Sequence, residues 1–225
     1  FHRCGRGPCP VYTLALADAD GSNPRPISYH ETHEWDPVVT GDGRVLDAVR
    51  RAVERTMAGY PIGASHPFGL ERSFGGVTHG LVFTDVLWEL AGLTDDRRYL
   101  AYAAWLYRSF ATSPVAEGDA RAEALLDAGR GFEGHGVHTY EHWRALTVAA
   151  IAAGAEERTA DGLPMDALDA AYARKLEAAL TPSGAPNGDE ACHPGGTADD
   201  TGYEYCSIQE LLHGYGMRVE ATGDV

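Results

Sequence analysis

The sequence predicts an all-α domain built from antiparallel helix hairpins. Three observations carry that expectation: apolar residues recur at three-to-four spacing through most of the chain after residue 43, the joints between stripes are short, and strand patterns are nearly absent. A possible strand is confined to Val11–Leu16, "VYTLAL".

Residues 1–43 are rich in Pro, Gly, Asp and His and hold no period, so they read as a loop-rich N-terminal segment. The domain proper is expected over residues 44–225. It opens on a helix in which Val45, Leu46, Val49, Val53 and Met57 form one face and Arg and Glu fill the other. In the clearest unit, Val82, Phe83, Val86, Leu87 and Leu90 make one stripe, and Tyr99, Ala103, Leu106, Tyr107 and Phe110 make the next. Gly92 offers a C-cap to the first helix, and Thr94 or Asp95 an N-cap to the second. A joint this short makes the two helices antiparallel neighbours. Further helices are expected near 119–128, 136–153 and 166–180, with a last one from about Ile208. "LTDD" at 93–96 is echoed by "ATGD" at 221–224, and repeated hairpins point to a helical toroid or solenoid. The chain starts at Phe1 and ends in what reads as a joint to another helix, so it is expected to be part of a larger domain.

Composition excludes some classes of function. The net charge of the 225 residues is −15, with no Lys/Arg cluster, which disfavours nucleic acid as a partner. No apolar run approaches the roughly 20 residues that cross a bilayer, so a soluble protein without a membrane partner is expected. Four cysteines, Cys4, Cys9, Cys192 and Cys206, are too few for a disulfide scaffold. Cys4 and Cys9 are compatible with a local bridge, a metal or inertness.

Candidate chemistry concentrates near the end of the chain. Ser207-Ile-Gln-Glu210 has the form of a capping box, which starts the helix at Ile208 and leaves Glu204 and Cys206 just before it. In an extended segment, residues two apart face the same way, so carboxylate and thiol would converge, and a nearby helix N-terminus would favour the thiolate. That is half of a zinc site; a buried cysteine beside a surface glutamate is the plainer alternative. Upstream, "LTPSGAPNGDEACHPGG" is a loop carrying Glu190, a candidate general acid if its pKa is raised, or else a solvated loop carboxylate. His138-Thr-Tyr-Glu141-His142 formally matches the inverted zinc-protease motif H-x-x-E-H, but no other protease feature accompanies it. The cluster His30, Glu31, His33 and Glu34 reads as a rim or surface loop.

The order of these pieces resembles the catalytic domain of glycoside hydrolase family 127, the β-L-arabinofuranosidase-like proteins. The resemblance lies in Gly134-His135-Gly-Val137, the Gly-rich loop with Glu190, Glu204-Tyr-Cys206 and Thr222-Gly-Asp224, and spans roughly Thr78 to Val225. It implies part of an (α/α)6 barrel. It further implies Glu190 as general acid/base, Glu204 and Cys206 as zinc ligands, His135 and His79 as residues that hold the sugar, and a carbohydrate as the partner. The expected reaction is retaining hydrolysis of a furanoside, most specifically a β-L-arabinofuranoside, through a zinc-bound thiolate nucleophile. The family's downstream cysteine pair, which completes the zinc site and supplies that nucleophile, has no counterpart in these 225 residues, so the chain by itself is expected to be inactive. Two other readings stand beside this one: a silent carbohydrate-binding or scaffold toroid, and a two-carboxylate six-hairpin glycosidase such as an unsaturated glucuronyl hydrolase.

Overall fold

The computed structural model describes residues 2–4, 11–13, 15–18, 20–26, 44–64, 79–113, 119, 121–152, 164–186 and 204–223. The chain divides into two units, Phe1–Arg51 and Ala52–Val225. The division falls inside the first helix rather than at its start.

In the first unit, β1 (His2–Cys4) pairs antiparallel with β2 (Val11–Thr13), and β3 (Ala15–Leu16) with β4 (Arg25–Pro26). The single strand expected over Val11–Leu16 is therefore two short ones in two hairpins. The turn between β3 and β4 is held by carboxylates: Asp20 accepts from the Ser22 amide and hydroxyl, and Asp18 from the Asn23 side chain at 2.7 Å.

The rest of the described chain is mostly helical, as the periodicity predicts. The helices are α1 (Arg44–Gly59), α2 (Phe83–Thr94), α3 (Arg98–Ala111), α4 (Ala122–Leu126), α5 (Gly136–Ala152), α6 (Met165–Ala179) and α7 (Tyr205–Thr222). A 3-10 turn, His79–Val82, leads into α2. Helix α2 runs on through Gly92 to Thr94. The left-handed C-cap position is taken by Asp95, φ 56°, and Asp96 accepts the Arg98 amide at 3.0 Å and pairs with its guanidinium. The expected stripe of α3 is buried in full: Tyr99, Ala103, Leu106, Tyr107 and Phe110. Of the α2 stripe, Leu87 and Leu90 are buried while Val82 is exposed.

Helix α5 is the centre of the second unit. Every residue from His138 to Ala149 is buried, polar ones included. Its neighbours fall into two sets by direction. Helix α7 runs parallel to α5, because Gly136 abuts Ser207, Trp143 abuts Gly214, and Ile151 and Glu220 line one cavity. Helix α2 is also parallel, since Asp85 reaches Arg144 and Gly92 shares that cavity with Ile151. Helices α3 and α6 run the other way: Leu100 sits near Ile151 while Tyr107 and Phe110 meet His142, and Tyr172 lies level with Thr139 while Lys175 holds the carbonyls of Asp127 and Arg130 ahead of α5.

Aromatic rings fill the joint between the sets. Tyr172 stacks on Trp143 at 5.5 Å and on His142 at 5.9 Å, and Phe132 leans against it at 5.0 Å. Gly214 lets α7 approach this layer, for a Cβ there would stand 3.0 Å from the Trp143 ring. No helix among the described residues is long and apolar enough to cross a membrane.

Candidate functional site

Because α2, α5 and α7 run in one direction, their N-termini open at one end of the second unit. His79 begins the turn before α2, which packs against α5; His135 immediately precedes α5; Glu204 is the N-cap residue of α7. Three of the residues singled out in the sequence thus stand at a shared end. Glu190 lies outside the described residues, as do Cys9, Cys192 and the cluster at 30–34.

The entrance to α5 is fixed by one carboxylate. Asp119, buried, accepts the Glu133 amide at 2.7 Å and the Gly134 amide, with the Thr139 hydroxyl at 3.5 Å. A Cβ on Gly134 would lie 2.7 Å from that carboxylate, so the close approach requires glycine. Burial pushes the Asp119 carboxyl above its usual range, against the pull of the two amides. Held this way, His135 stacks face to face on His138, centroids 4.5 Å apart and planes at 22°. Residues three apart on a helix share a face, which brings Glu141 next below His138 and Arg144 below that.

At the level of Arg144 the three parallel helices are cross-linked. The guanidinium, 3% exposed, reaches Asp85 of α2 at 3.0 Å and Glu210 of α7 at 2.7 Å, and contacts Nδ1 of His213. Two carboxylates therefore meet one buried cation, and Glu141 lies within electrostatic reach of the same group. Glu141 carries the consequence: burial first, and the charge of Glu210 next, raise its carboxyl to about 7, against lowering by His138 and Arg144. Its Oε2 has no hydrogen-bond partner among the described residues.

The start of α7 differs from the sequence expectation, and the difference bears on zinc. The helix begins at Tyr205, with Glu204 extended at φ −91°, ψ 124°. Ser207 is therefore inside the first turn, buried against Gly136, and donates its hydroxyl to Glu204 at 2.8 Å. The capping box does not form: Ser207 lies past the N-cap position, and Glu210 pairs with Arg144 at 2.7 Å. Cys206 lies in the helix as an exposed free thiol. The Glu204 carboxylate is thus engaged by Ser207, while Cys206 is exposed in the first turn. Among the described residues no group of three or more His, Cys, Asp and Glu side chains is arranged to hold a metal.

The motif H-x-x-E-H resolves differently. His142 is fully buried with Nε2 against the Tyr107 hydroxyl at 3.0 Å and its ring among Phe110 and Tyr172, and burial lowers its pKa to about 3. It is a neutral core imidazole. Glu141, read from sequence only as part of that motif, is a buried carboxyl whose pKa burial raises. Asp119 and Arg144 were not distinguished in the sequence. The spacing His138, Glu141, Arg144, each three apart inside a helix with few other charges, is the signal that would have found two of these residues.

No protein-family model, curated protein or solved structure matches this chain.

Proposed function

We propose that this chain is part of a glycoside hydrolase whose sugar site lies at the end where α2, α5 and α7 begin. In this reading α2, α5 and α7 are inner helices of an (α/α)6 barrel, and α3 and α6 are outer ones. The supporting observation is the alternation of direction: parallel helices α2, α5 and α7 side by side, antiparallel helices packed behind them, and His79, His135 and Glu204 collected at the inner helices' starts. Helix N-termini leave amide donors free, and sugar hydroxyls are suited to them.

The substrate class in this proposal is a furanoside, specifically a β-L-arabinofuranoside, with Glu190 as proton donor to the leaving oxygen and His135 and His79 holding the sugar. These roles follow from the resemblance to glycoside hydrolase family 127. In the same reading Glu204 and Cys206 would be two of the ligands of a zinc ion, a role that follows from that resemblance alone.

The test is release of arabinose from a chromogenic β-L-arabinofuranoside by the full-length protein, beside aryl pyranosides and an unsaturated glucuronide. Release from the furanoside that falls at least 100-fold in Glu190→Gln (on the order of a lost general acid) and drops in His135→Ala supports the reading. Turnover of the glucuronide alone replaces it with the two-carboxylate alternative. Turnover of none, with sugar binding retained, replaces it with a binding toroid.

A further inference from the structure

The second unit has a cavity at the end opposite the candidate site. It measures about 380 Å³ and lies among the last turns of α2, α5 and α7 and the first turn of α3. That volume is in the range of small-molecule pockets. Half-buried Trp88, Leu100 and Ile151 supply apolar wall, and Leu93 lines it although 65% exposed. Gly92 borders the same space from inside α2. Its backbone is ordinary helix and no atom lies within 4 Å of the place a Cβ would take, so neither a turn nor a close helix contact requires glycine there. Glycine weakens a helix interior; at this position the missing side chain leaves the cavity its room.

The charges around the cavity favour a cation. Glu89, Asp95 and Glu220 line it against one basic residue, Arg97. No ion pair among the described residues engages any of the three carboxylates. Helices α2, α5 and α7, which run in one direction, add the partial negative charge of their carbonyl ends. The opposing N-terminus of α3 is already served, because Asp96 accepts the Arg98 amide at 3.0 Å and pairs with the Arg98 guanidinium. We propose that this cavity is a second binding site, for a small organic ammonium: a protonated or quaternary amine carried on an apolar or aromatic body. The carboxylates attract the ammonium, and Trp88 offers it an aromatic ring. Leu93, Leu100 and Ile151 take the apolar body out of water. A carboxylate ligand of the same shape meets the excess negative charge and is rejected. The site is independent of the proposed sugar site and of the reaction there.

The test is an NMR titration of isotope-labelled full-length protein with phenethylammonium, beside its anionic and neutral counterparts, hydrocinnamate and phenethyl alcohol. The ammonium is expected to bind saturably, in the millimolar range or tighter for so small a probe, and to move the amide signals of Gly92, Leu93 and Glu220. Hydrocinnamate is expected to bind about tenfold more weakly or not at all, since like charge now opposes it. Glu89→Gln/Glu220→Gln changes two exposed side chains and leaves the packing intact. It is expected to weaken the ammonium by about threefold to tenfold, the range for two exposed charges, and to leave phenethyl alcohol unaffected. Gly92→Leu, which meets no neighbouring atom at its Cβ, is expected to fold and to weaken both probes by filling the space. Saturable binding of the ammonium over the anion, lost in the charge variant, supports the proposal whether or not any glycoside is hydrolysed. Equal binding of ammonium and anion, an affinity unmoved in both variants, signal changes confined to other parts of the chain, or no saturable binding overturns it.

Discussion

Arg144 of α5 and Glu210 of α7 meet at 2.7 Å across two helices that run in the same direction, and the same guanidinium holds Asp85 of α2 at 3.0 Å. One side chain thereby sets the relative height of the three helices whose starts form the candidate site.

Removing that cation leaves two carboxylates facing each other in a buried seam with Glu141 beside them. Arg144→Met is expected to lower stability by about 3–5 kcal/mol, the usual cost of breaking a buried ion pair from one side. Denaturant midpoints measure it. Adding Asp85→Asn and Glu210→Gln to the same variant is expected to restore a large part of the loss, because the uncompensated charge is then gone. Equal loss in single and triple variants would place the effect in packing of the arginine stem instead.

Gly136 and Ser207 set how closely α5 and α7 approach. A Cβ at Gly136 would stand 2.5 Å from the Ser207 hydroxyl oxygen. Gly136→Ala is expected to cost about 1–3 kcal/mol by overpacking. In Gly136→Ala/Ser207→Ala the hydroxyl is absent, so the double variant is expected to be less destabilised than the sum of the two single ones. Thermal unfolding of the four proteins completes the cycle.

Stability should also respond to pH through Glu141. Its folded pKa, about 7, lies above the ordinary value of 4.5. Between those values the unfolded chain has lost the proton and the folded chain has kept it, so stability falls as pH rises through that window and the penalty is complete above 7. His142 works in the opposite sense: with a folded pKa of about 3 against 6.5, it removes stability as pH falls below 6.5. Glu141→Gln deletes only the first effect. Between pH 4 and pH 8 the stability of the variant relative to wild type is expected to rise by about 3 kcal/mol. A stability difference that does not change with pH would show that Glu141 ionises normally.

Cys206 supplies a test of the zinc expectation. As an exposed thiol in the first turn of α7, it is expected to react with an aromatic disulfide reagent in the folded full-length protein at the rate of an accessible cysteine. Cys206→Ser is expected to change stability by no more than about 0.5 kcal/mol. A thiol that resists the reagent until a chelator is added would support Glu204 and Cys206 as metal ligands.

The α2–α3 hairpin was legible because each helix is amphipathic and the joint between them is too short for anything but a reversal. Helix α5 was legible in extent but not in orientation: buried on all sides, it has no solvent face, so its polar residues could not be sorted by periodicity. The start of α7 was misread for a related reason. Ser207 and Glu210 carry the letters of a capping box, yet each has a stronger claim on it from another helix, Ser207 from the space beside Gly136 and Glu210 from Arg144.

The sequence by itself determined the mostly helical class, the approximate helix ranges and the positions of His79, His135 and Glu204 just ahead of helices, since periodicity and chain breaks are local properties that each segment carries alone. Only the tertiary structure decided that those three helix starts share one end, that the Glu204 carboxylate takes the Ser207 hydroxyl, and that Glu141 is a buried acid among other charges. Direction, burial and charge crowding are relations between segments far apart in the chain, and the free energy that fixes them is released only when α2 and α7 close on α5.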